Sequence, residues 1–306
     1  MSLKHALSIL LSRFTIIFKI ILYFVVVMLI FVTIAGSALA PTIRTVKSEI
    51  ENTGVFTEFK EGFVKLTKGD SDFTESFQRA SASLGEIAEI FTNNRTRVIW
   101  AIAIVMLFVL LAAYVMTLSY VSFSDIINHF MCTNSRFGFL SNFISNLKRS
   151  LLYGLMHLLT VSVSNILIGY FLLFLTGVLL QAIGILCAPI ILTLGVLLYS
   201  LKSTVFAGWL PAIVHDNKKV LPALVAGIRT ISERGSEAFL SFVMMHSLAL
   251  IMVIVFSFTT FGAGLIIAIP TVMMFHRTLE LVLYYNANEY KYYVDNEKVI
   301  KISIYK

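Results

Sequence analysis

SLLYGLMHLLTVSVSNILIGYFLLFLTGVLLQAIGILCAPIILTLGVLLYSL, from Ser150 to Leu201, is a run of 52 residues without one Asp, Glu, Lys or Arg. As a single helix it would be about 78 Å long at about 1.5 Å per residue, against a bilayer hydrocarbon core of about 30 Å. It therefore folds back as two spans whose outer ends share one side of a membrane. Three further uncharged runs flank it: Ile20 to Ile43, Val98 to Ser124, and Ala238 to His276. The first two are single spans. The last makes two if Thr260, Gly262 and Gly264 turn tightly and its final helix continues through Arg277 to Tyr285.

The expected fold is all-α, a polytopic bundle of six transmembrane helices with an extracytoplasmic helical hairpin and interfacial amphipathic helices. Its segments are an elbow at 1–19, spans at 20–43 and 98–124, the two-span hairpin at 150–201, and spans at 238–259 and 264–285. Outside the bilayer lie 44–97, 125–149, 202–237 and a tail at 286–306. A mean hydropathy of +0.87 with only 13% charged residues agrees, since soluble domains carry about 25%. Ile20 to Ile43 is too long for a signal-peptide core, although Ala38-Leu39-Ala40 leaves cleavage open.

The net charge of +7 would suggest nucleic acid in a soluble chain, but here the basic residues flank apolar runs. Anionic lipid headgroups account for them, and no nucleic-acid partner is expected. Segments on the side of the termini are each net positive, whereas Pro41 to Arg97 has eight Lys/Arg against nine Asp/Glu. Both termini are therefore expected in the cytoplasm, with the chain in a plasma (inner) membrane. Cys132 and Cys187 form no CxxC motif, and neither a disulfide, a metal nor a cofactor is expected.

Outside the spans, Phe56, Phe59 and Phe63 recur at helical spacing, as do Phe73 and Phe77, with a turn at Lys68 to Ser71 between the two stretches. Asp72 followed by Glu75 has the form of a capping box for the second helix. The two aromatic stripes of this hairpin can pack on each other, on headgroups, or on a protein partner. Leu3, Leu7 and Leu10 near Lys4 and Arg13, and Phe139, Leu140, Phe143 and Ile144 before Lys148, read as helices lying in the interface.

The segment Lys202 to Glu237 is patterned more closely. Trp209-Leu-Pro-Ala-Ile-Val, a short polar turn, and Ala223-Leu-Val-Ala-Gly-Ile-Arg229 precede an apolar helix. Over roughly Phe206 to Met252 this resembles a loose group of bacterial six-span inner-membrane proteins of unknown function, which includes the membrane domain attached to some glycerophosphodiester phosphodiesterases. Gly227 stands where such segments often have Ser. The resemblance implies a bacterial membrane fold; no phosphodiesterase domain is present, so it carries over no catalytic residue. Trp209, Arg229 and Arg234, with the hairpin phenylalanines, are the candidate partner surface.

Polar side chains within spans need a partner or a water-filled cavity. Tyr153, His157, Thr160 and Ser164 step by 4, 3 and 4 along one helix face, with Asn165 beside them. They read either as interhelical hydrogen bonds or as the wall of a solvated cavity. On the last span His276, Arg277 and Glu280 are at salt-bridge spacing. They read as an internal ion pair that snorkels toward the cytoplasm, or as a proton or substrate relay. No P-loop, GxSxG or HExxH motif occurs.

Two functions follow. The first is a noncatalytic envelope assembly, scaffold or regulatory factor acting through an unidentified protein partner. The alternative is the permease subunit of a transporter energised by a separate ATPase. An intramembrane enzyme using His157 or His276 ranks last, because no nucleophile and base are paired in the sequence.

Overall fold

A computed structural model describes residues 2–52, 89–90, 92–135, 138–260, 262–295 and 298–300. The protein is an all-α polytopic membrane protein, and six of its helices are long and apolar enough to cross a bilayer. In chain order the helices are α1 Ser2–Ser12, α2 Phe14–Asn52, α3 Arg95–Thr133, α4 Phe139–Ser145 and α5 Leu147–His157. A π-helical turn at Leu158–Ser162 joins α5 to α6 Val163–Ile183, and α7 is Cys187–Phe206. Then come α8 Trp209–Val214, α9 Val220–Ser232, α10 Gly235–Thr259 and α11 Leu265–Ala287. A short antiparallel hairpin pairs β1 Tyr292–Tyr293 with β2 Val299–Ile300.

Chain reversals fall where a residue adopts positive φ. Asn134 ends α3, Gly184 turns the α6–α7 hairpin, Asn217 separates α8 from α9, Gly262 separates α10 from α11, and Glu289 follows α11. Such left-handed residues stop a helix and let the next segment take its carbonyls. Much of the expected hairpin at 44–97, including Phe56, Phe59, Phe63, Phe73 and Phe77, lies outside the described residues.

The chain packs as two units, Met1–Val27 with Ala113–Lys306, and Met28–Ala112. In the second unit α2 runs unbroken past Pro41, and Asn94 donates to Glu49 across 2.6 Å. The first unit is built around α11: residues Thr278 to Tyr285 are all buried, so this stretch is covered on every side by protein. Ala6, Ile9 and Leu10 of α1 belong to that core, while Leu7 and Leu11 remain outside it. Ser2 ties the first turn down by donating to Glu237 and accepting from Asn286.

The segment α8–α9 docks through backbone contact. A Cβ on Gly208 would stand 2.3 Å from the Gly227 carbonyl oxygen, so neither position admits a side chain. Asn142 and Asn146 both donate to Asp125 and fasten α4 to α3, leaving Leu140 and Ile144 exposed.

Candidate functional site: a polar chamber among the helices

The π-helical turn decides which side chains of α5 and α6 meet. Successive steps of four residues drift by about 40° each on an α-helix of 3.6 residues per turn, so four such positions would leave one face. One wide turn inserts an extra residue, worth about 100°, and cancels most of that drift. Tyr153, His157, Val161 and Asn165 consequently share one wall. Thr160 and Ser164, expected on that wall, instead donate to Met156 and Thr160 carbonyls of their own helix.

That wall faces α3, α7, α8, α10 and α11 across a chamber of about 220 Å³. α7 contributes Lys202 and Ser203, α10 contributes His246, and α11 contributes His276, Arg277 and Glu280. Tyr120 of α3 and Trp209 of α8 complete the aromatic part of the lining.

Arg277 and Glu280 form a bidentate pair, Nη1 donating to both carboxyl oxygens at 2.7 and 2.8 Å. Glu280 is 1% exposed, so the pair does not snorkel. The reason is that Leu281 to Leu283, expected in hydrocarbon, are sheathed by protein and give the charges no lipid-facing path. The guanidinium also lies over the Tyr120 ring at 4.4 Å and donates to His157 Nε2 at 3.3 Å. Arginine has no acceptor, so Nε2 of His157 accepts and the ring proton sits on Nδ1, which is buried and makes no hydrogen bond.

Lys202 donates to Asn165 Oδ1 and faces the Tyr199 ring at 5.0 Å; among the described residues no carboxylate pairs with it. In the sequence Lys202 stands with the charges that flank the spans and is not among the candidate site residues; α7 runs on past it to Phe206 and carries it into the chamber lining beside Ser203. Trp209, expected on a partner surface, is 1% exposed and donates from Nε1 to the Val220 carbonyl at 2.8 Å. It is core, because it packs on Tyr153 with ring centroids 5.1 Å apart. Arg234 is held by Glu237 and Glu289, whereas Arg229 is exposed.

Ser203, His276 and Glu280 stand in the order of a hydrolytic triad: Oγ to Nε2 is 3.0 Å, and Nδ1 to Oε1 is 3.4 Å. The second contact has ion-pair distance without hydrogen-bond alignment. Ser203 also lies within α7, where backbone N–H groups are engaged by the helix and provide no oxyanion hole. His246 donates to the Phe242 carbonyl at 2.9 Å and contacts Ser200 at 3.1 Å. Among the described residues no three His, Cys, Asp or Glu side chains converge as a metal site.

A second polar cluster joins α3 and α11 to the turn after α8. His215 Nδ1 is 2.9 Å from Tyr285 Oη and 3.1 Å from Asn128, and Cys132 lies 2.7 Å from the same hydroxyl. Burial lowers the His215 pKa below its ordinary value, with Asp216 opposing. Tyr284 donates to Asp216 at 2.6 Å, which orders the turn between α8 and α9.

The fold and chamber define the class: a multi-pass helical membrane protein with a charged internal site. Comparison with protein-family models, with curated protein sequences and with solved structures finds no match.

Proposed function

We propose that this chain is a membrane permease component, handling a polar solute in the chamber and drawing energy from a separate ATPase. One observation carries the reading: two basic side chains, one carboxyl and three imidazoles line a single cavity among helices of membrane-spanning length. Ionisable groups at such depth are costly, and they recur where a solute or ion must pass. In this reading the protein sits in a bacterial inner membrane with both termini cytoplasmic, and anionic headgroups hold its basic flanks.

The second reading, an envelope assembly or scaffold factor, draws on a different feature. Leu221, Val225 and Ile228 leave one side of α9 exposed beside Arg229, a surface suited to headgroups or to a partner protein. Replacement of the chromosomal copy separates the two. A chamber-filling Val161→Trp variant that is made and inserted normally should reproduce the deletion phenotype if the chamber carries function. If that variant behaves as wild type while a Leu221/Val225/Ile228→Gln variant reproduces the deletion, the permease reading is wrong and the scaffold reading stands.

A further inference from the structure

We infer, building on the permease reading, that the chamber's ligand is a small oxyanion, a carboxylate or phosphate group, seated against Lys202. The charge count comes first. Lys202 and Arg277 face a single carboxyl, and Arg277 already engages both oxygens of Glu280. The chamber thus keeps one formal positive charge without a counter-charge among the described residues.

The hydrogen-bond inventory points the same way. Asn165 Oδ1 accepts from Lys202, which leaves the Asn165 amide N–H groups and two Lys202 N–H groups as unused donors. Because His246 Nδ1 donates to a carbonyl, its Nε2 is an acceptor, beside the hydroxyls and the remaining lone pairs of Glu280, which Arg277 already neutralises. A lining with a surplus positive charge and free N–H donors on Lys202 and Asn165 disfavours cations and suits an anion with several acceptor oxygens. Size narrows the choice further. The chamber, about 220 Å³, has room for a small acid or one headgroup.

The shared chemistry, an oxyanion, has two sources: a free solute or a phospholipid headgroup. Both are distinguished with the full chain in nanodiscs. In phosphatidylcholine alone, inorganic phosphate and acetate are titrated by ³¹P and ¹³C line broadening, with tetramethylammonium and glycerol as cationic and neutral probes. In discs containing phosphatidylglycerol, retained lipid is read by native mass spectrometry. The expected result is anion binding, or selective phosphatidylglycerol retention, that weakens at least about tenfold in Lys202→Met and returns in Lys202→Arg. Binding in the first discs assigns a free anion, and retention only in the second assigns a headgroup.

Anion binding indifferent to Lys202→Met overturns the inference. So does binding of tetramethylammonium or glycerol, abolished by Val161→Trp, without anion binding; that outcome leaves the permease reading standing. If no probe or lipid binds wild type, the inference and the permease reading both fail. Should Lys202→Met not fold, the wild-type preference between anion and cation decides alone.

Discussion

Substituting Glu280 by Gln keeps the size of the side chain and removes the charge that Arg277 faces. The two side chains retain only 2% and 12% of their accessible surface, so the substitution leaves Arg277 largely buried without its carboxylate. Breaking a buried pair by removing one partner costs about 3–5 kcal/mol, while replacing both partners with uncharged groups of similar volume is close to neutral. The lower end applies here, because Arg277 retains the Tyr120 ring and His157. Glu280→Gln should therefore lose about 3 kcal/mol, and Arg277→Met combined with Glu280→Gln should return to within about 1 kcal/mol of wild type. Reversible unfolding in mixed detergent micelles, run on both single variants and the double variant, measures the cycle. A single variant as stable as wild type, or a double variant no better than the worse single, would refute the reasoning.

Further outcomes follow from the packing. Gly227→Ala places a methyl group against the Gly208 backbone and should cost about 2–3 kcal/mol or prevent folding. Gly169→Ala, with nothing within 4 Å of the new carbon, should be tolerated in the same unfolding assay. The lowered pKa of His215 means that the unfolded chain takes up a proton near pH 6.5 that the folded chain resists, so stability falls as pH drops through that value. His215→Gln should flatten this part of the pH profile, and an unchanged profile contradicts it; His5, lowered by burial and by nearby positive charge, adds in the same direction. Exposed Cys132 should react with a membrane-impermeant maleimide in inside-out vesicles and not in intact cells, while buried Cys187 stays unlabelled in both. Labelling of Cys132 in intact cells would reverse the proposed orientation.

The spanning helices were legible because lipid imposes about 20 consecutive apolar residues, a demand written directly in composition. Which polar residues meet was less so. Tyr153, His157 and Asn165 do line the chamber, but Thr160 and Ser164 do not, because the phase of α5 and α6 depends on a π-helical turn that no residue type announces. Lys202 was hidden by its position: a base just after an apolar run reads as a flank, and only the continuation of α7 to Phe206 turns it inward. Trp209 shows the opposite failure, since an aromatic in a segment between spans fits a docking surface as well as a core, and the Gly208–Gly227 contact that buries its segment is long-range. Arg277 and Glu280 were readable as a pair by spacing, but not their sheathing by protein.

The chamber itself is tested most directly by thiol accessibility in native membranes. In a background lacking Cys132 and Cys187, single cysteines at Thr160, Val161, Ser164 and Asn165 are challenged with a small water-soluble methanethiosulfonate. A hydrated chamber whose α5–α6 wall is phased by the π-helical turn predicts reaction at Val161 and Asn165 and silence at Thr160 and Ser164. Reaction at Thr160 and Ser164 with silence at Val161 and Asn165 would contradict the account.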